Sequence, residues 1–96
     1  MIRDEVRNLV ALGPMPDAAA EQAVIEQYEQ ALARITSPVS IDEARALAGC
    51  FGSDDCFGLA WTLVHLIESA PQLPLDSEPE LGANEWLRTL WDRAVK

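Results

Sequence analysis

Cys50, Cys56 and His65 are the only soft ligands in the 96 residues, so a thiol–imidazole pair or a metal site is the sharpest chemistry the chain could hold. Helical geometry argues against both. Cys56 and His65 are nine residues apart. On one continuous helix that separation puts them on opposite sides and about 13 Å apart along the axis, too far to share an ion or a proton. Cys56 projects with Leu63, Ile67 and Ala70, which predicts a small buried hydrophobe. Cys50 falls off the apolar stripe of its own helix and would be reactive if exposed. No metal site and no cofactor is expected.

A second constellation is the polar stripe Asp54, Gly58, Thr62, His65 and Ser69, with Asp55 at its edge. Gly58 costs about 1 kcal/mol in a helix interior, which suggests close approach of another backbone or of a partner. Gly58, Thr62, His65 and Ser69 thus form a candidate ligand groove. As a catalytic site the stripe is poor, with one histidine and no positioned nucleophile or oxyanion donor. Asp54 and Asp55 diverge by about 100° as helix neighbours and are better read as complements to a helix dipole. Glu68 lies between Trp61 and His65 in projection and carries no mechanism by itself. The glycines match no phosphate-cradling fingerprint. The chain is therefore read as a non-enzyme.

The third constellation is aromatic and acidic. Trp61 belongs to an apolar segment and reads as core, and Trp91 shares the apolar face of the last helix. Trp86 points roughly 90° away from that face, beside Glu85 and downstream of Asp76, Glu78 and Glu80. An exposed tryptophan rimmed by acids has the composition of a binding hot spot for a partner with a basic rim, and the alternative is that Trp86 folds back over the last loop as a lid on the core. Asp76, Glu78, Glu80, Glu85 and Trp86 are the candidate contacts, with Asp54 and Asp55 near the rim.

Charge points the same way. Sixteen acids stand against seven bases, for a formal charge of −9, and no Lys or Arg occurs between Arg45 and Arg88. Such a field repels phosphate backbones and anionic lipid heads, which excludes direct nucleic-acid and membrane-surface binding. It accelerates encounter with a basic protein. The charged start, Met1 to Asn8, and the short apolar stretch after it do not resemble a signal peptide. The run from Cys56 to Ala70 contains His65 and Glu68 and falls short of the ~20 residues that span a bilayer. A soluble cytoplasmic protein is expected.

The elements that must position these residues are helices. Apolar content of 49% and charged content of 24% belong to an ordinary globular domain, and the length allows one domain. Prolines and glycines divide the chain into about five helical segments. Ile2, Val6, Leu9 and Val10 form one apolar face before Pro14. Val24, Tyr28, Ala31, Leu32 and Ile35 form the next, with Asp17 as N-cap. Ser40 and Glu43 make a capping box that opens a third helix with the stripe Ile41, Ala44, Leu47, Ala48 and Phe51. Ser53 caps a fourth, running to Ala70 before Pro71. After a loop over Gln72 to Gly82, Ala83, Leu87, Leu90, Trp91 and Ala94 share the face of a last helix. No stretch alternates with the period of a strand, so the fold class is all-α, built of antiparallel helical hairpins.

The pair IDEARALAGCF and CFGLAWTLVHLIESA, joined by GSDD, resembles one HEAT-type repeat, and NEWLRTLWDRAV could begin another. That resemblance implies stacked hairpins, against a compact bundle as the alternative. In its acidity and size the chain is also similar to the small bacterial immunity proteins that neutralise a cognate toxin in the cytoplasm. The block FGxDDCFGLAWTLVHLIExAP looks like the core of an uncharacterised bacterial helical family. The expected function is a protein–protein interaction module for a basic partner. The alternatives are a ligand-binding or regulatory module using the groove at His65, and a homodimer held by the last helix.

Overall fold

The computed structural model describes residues 2–52, 56, 58–72, 74–75, 78–80 and 82–95. Ser53, Asp54, Asp55 and Asp76, expected to act as a cap, a rim and a partner contact, lie outside the described residues. Five helices follow one another among the described residues: α1 (Asp4–Ala11), α2 (Gln22–Ala33), α3 (Ile41–Ala48), α4 (Leu59–Glu68) and α5 (Glu85–Val95). No strand occurs among the described residues, so the fold is all-α. None of the helices is long and apolar enough to cross a membrane. α1 packs on α2 and α3, α3 on α4, and α4 on α5, within a slab of 36 × 30 × 18 Å.

α4 supplies the centre of the core. Leu59, Ala60, Leu63, Val64, Leu66 and Ile67 are all buried on it. They share one buried cluster with Val6 and Leu9 of α1, Tyr28 and Leu32 of α2, Ala44 and Leu47 of α3, and Leu90 of α5. Burying each such side chain is worth about 1.5–3 kcal/mol, so this one apolar helix organises the others by the area it must hide. Five residues expected on buried faces are on the surface: Val10, Val24 and Trp61, which are 41%, 45% and 40% exposed, and Ala83 and Ala94.

Helix starts differ from expectation in three places, each for a local reason. Asp17 caps a turn instead of α2: its carboxylate accepts from Ala19 N at 2.9 Å and its carbonyl from Ala20 N at 3.1 Å. The chain then passes through extended Glu21 before α2 begins. α4 begins at Leu59 because Cys56 (φ 45°) and Gly58 (φ 92°) take left-handed conformations that a right-handed helix excludes. Nothing lies within 4 Å of where a Gly58 β-carbon would stand. Gly58 is thus required by its backbone angle and not by close approach of a neighbour. α5 opens at Asn84, whose Oδ1 accepts from Trp86 N at 2.8 Å.

The capping box of α3 forms as the sequence predicts. Glu43 N donates to Ser40 Oγ at 3.1 Å and Ser40 N to Glu43 Oε1 at 2.9 Å. Glu43 also receives the N-terminal segment: Arg3 N, Nε and Nη2 all donate to its carboxylate, at 3.1, 2.9 and 3.3 Å. Arg3 reaches on to Thr36 Oγ1 and Thr36 O at 3.0 and 2.9 Å, beside the cis peptide bond of Ser37–Pro38. Glu43 is only 3% exposed, the one charged residue buried among those described. The Arg3 guanidinium, with backbone donors from Ser40 and Arg3 behind it, outweighs burial and pulls the Glu43 carboxyl down to about 2.

Residues 50–52 are held from both sides. Met15 N donates to Cys50 O at 2.7 Å, and Asn84 Nδ2 donates to Gly52 O at 2.9 Å. A β-carbon on Gly52 would overlap the Met15 carbonyl, so no larger residue fits without moving backbone. Gly52→Ala should destabilise the fold by about 3 kcal/mol in chemical denaturation.

The lowered Glu43 pKa fixes a sign for acid stability. An ordinary glutamate titrates near 4.3, so the pair's contribution is complete above about pH 5 and is lost as pH falls toward 2. Arg3→Met should lower Tm at pH 7. The gap from the parent should close by about pH 2, and a gap independent of pH would exclude the ion pair as its source.

Candidate functional site

The soft ligands do not form a site. Cys50 is buried, with its Sγ directed at Ala46 O (3.6 Å), and burial pushes its thiol pKa up against the opposing effect of Tyr28. The condition set for a reactive Cys50, exposure, is not met, because the 50–52 segment is held between Met15 and Asn84. Cys56 is fully buried as expected, but in a turn and not on α4. Tyr28 Oη has no partner of hydrogen-bonding geometry among the described residues, although the Cys50 thiol is near enough to act on it electrostatically. No group of three or more His, Cys, Asp or Glu poised for a metal occurs among the described residues.

The polar stripe is only partly assembled. Thr62 Oγ1 donates back to Gly58 O at 3.4 Å, and His65 is exposed. Ser69 donates to Leu66 O and accepts from Val39 N at 3.1 Å, so its hydroxyl joins the end of α4 to the turn before α3. Thr62 and His65 share a groove of about 260 Å³ with Leu32, Ala33, Ile35, Ser37 and Leu66, while Gly58 and Ser69 stand outside it. That volume is below the roughly 300–1,000 Å³ of small-molecule sites.

Trp61 and Trp86 differ in exposure. Trp86 is half-buried, stacked on Phe51 at 6.1 Å and meeting Trp61 edge to face at 5.2 Å. It packs against the core, as the lid reading of Trp86 has it. Trp61 is the exposed one, at 40%. Its ring lies 6.3 Å from that of His65 and carries the Arg93 guanidinium at 5.8 Å. Glu68 holds Arg93 in place with a two-pronged pair of 2.7 and 3.1 Å. The signal for this edge was in the sequence: Trp61, His65 and Glu68 recur at i, i+4 and i+7, with two polar companions marking an exposed edge.

The expected acidic contacts are Glu78, Glu80 and Glu85, all exposed. Glu78 and Glu80 rim a groove of about 380 Å³ whose other walls are Pro74, Leu75, Pro79, Ala83 and Leu87. Glu85 and Trp86 do not line it. Arg88, unassigned by the sequence reading, stands at the rim with Nη1 3.5 Å from Glu78 Oε2 and 3.4 Å from Pro79 O, and Nε 3.7 Å from Asp92. Glu80 and Glu85 have no cationic partner among the described residues. A wider acid-bearing groove of about 490 Å³ runs along α2 between Ala18, Ala20, Gln22, Ile25, Glu26 and Glu29.

Most of the described bases are engaged: Arg3 with Glu43, Arg7 with Asp4, Arg88 with Glu78 and Asp92, and Arg93 with Glu68. The excess of acids therefore dominates the outer field. No protein-family model matches this chain, and comparison with curated proteins and with solved structures finds no match.

The burial of both thiols generates a prediction. In the folded protein, Cys50 and Cys56 should react with an aromatic disulfide reagent at least about 100-fold more slowly than in denaturant, with the rate set by opening of the fold. Rapid labelling of one thiol in the native state would return Cys50 to the candidate list.

Proposed function

We propose that this chain is a non-enzymatic cytoplasmic module that binds a basic protein through the acidic surface at residues 78–87, in the manner of an immunity protein neutralising a toxin. The observation that carries the reading is the apolar groove rimmed by Glu78 and Glu80, on a chain whose described arginines are largely engaged by its own carboxylates. Apolar floor and charged rim are the two parts of a specific interface: the floor holds the complex and the rim steers encounter. Glu85 adds to the field from the first turn of α5. Trp61, and not Trp86, supplies the exposed aromatic anchor on the neighbouring helix.

The test is kinetic. The partner is the protein released by a salt gradient from the immobilised chain, and its association is followed at about 50 mM salt. Glu78→Lys, Glu80→Lys and Glu85→Lys together should lower the on-rate by about 10-fold or more, with the difference shrinking as salt rises. Circular dichroism should show unchanged helicity, since all three side chains are exposed. An on-rate equal to the parent's would remove the electrostatic basis of the proposal.

A further inference from the structure

The groove at α5 has a more specific shape than a general acidic face requires. Its floor is aliphatic, from Leu75, Ala83 and Leu87, and its rim offers two carboxylates, Glu78 and Glu80. The chain's own Arg88 already tests that rim, placing one guanidinium nitrogen 3.5 Å from Glu78 Oε2 and 3.4 Å from Pro79 O. Both distances are long for a charge-assisted bond, and Arg88 retains Asp92 at 3.7 Å as a second acid. Glu78 is therefore held loosely and Glu80 faces no cation among the described residues.

We propose that this groove is a receptor for one arginine side chain of the basic partner. Its stem lies along Leu75, Ala83 and Leu87, and its guanidinium is taken by Glu80 and by Glu78, from which it displaces Arg88 onto Asp92. The inference rests on the basic-partner reading above and names the residue that reading must deliver. Arginine fits because an aliphatic stem buries on apolar surface while its head stays at the wet rim. Its five donors serve two carboxylates and the Pro79 carbonyl together, where the compact ammonium of lysine has three. A cavity of about 380 Å³ accommodates such a side chain with room for its backbone to pass over the rim.

The experiment titrates the full ¹⁵N-labelled chain with blocked hexaarginine and, separately, hexalysine at about 20 mM salt, following amide shifts. Hexaarginine should move the amides of Glu80, Ala83, Leu87 and Arg88 most. Glu80→Gln should weaken its binding about threefold, and Arg88→Gln, which releases Glu78, should strengthen it by a similar factor. Shifts centred on Ile25 to Glu29 of α2, or unchanged affinity in Glu80→Gln, would overturn the groove while leaving a basic partner in place. Equal binding of hexalysine would overturn the choice of arginine. No shift anywhere with either peptide would overturn the basic-partner reading together with the groove.

Discussion

The carboxylate of Glu43 is the point on which the first two-thirds of the fold is hung. A buried charge is tolerated only when its lone pairs are filled and a counter-ion is at hand. Here the fillers come from two distant parts of the chain: the backbone and side chain of Arg3, and the backbone of Ser40. Satisfying one carboxylate therefore fixes where α1 starts, where α3 starts, and how the 36–40 turn runs between them. Ser69 then ties that turn to the end of α4 through Val39 N. The apolar pressure of α4 decides that helices collect around it, and these polar links decide their order.

α5 is attached by different means. It docks on α4 through Leu90, the Trp61–Trp86 contact and the Arg93–Glu68 pair, and its start is anchored by Asn84 to the carbonyl of Gly52. Arg88 links it to the segment before it, at Glu78 and Pro79. The arginines of α5 thus serve as internal clamps, each facing an acid of an adjoining segment. That arrangement uses cations for architecture and leaves carboxylates to define the field an approaching protein meets.

Much of the architecture was legible in the sequence, because it follows from periodicity and caps. The apolar run of α4, the capping box of Ser40 and Glu43, and five helices between proline and glycine breaks all appear as read. What escaped has physical causes that lie outside any single helix. The Arg3–Glu43 bond joins residues forty apart, and nothing local announces it. Left-handed angles at Cys56 and Gly58 shorten α4, so Cys56 does not occupy the face that an unbroken helix from Ser53 to Ala70 would give it. Trp61 is exposed against expectation because helical projection gives relative directions on one helix, whereas exposure depends on how closely the neighbour packs. The acids of the groove were legible as a cluster, but its apolar floor, which pairs Leu75 with Leu87 across a loop, was not.

The perpendicular contact of Trp61 and Trp86 gives the molecule a built-in optical ruler. Two indoles 5.2 Å apart at 88° are close enough for their excited states to couple, and that coupling exists only while α5 lies on α4. The near-ultraviolet circular dichroism of the protein is therefore a direct record of helix–helix docking. A loosening of α5 that preserved every helical turn would remove that contribution while the backbone signal of the helices stayed, so events at the last helix carry their own label.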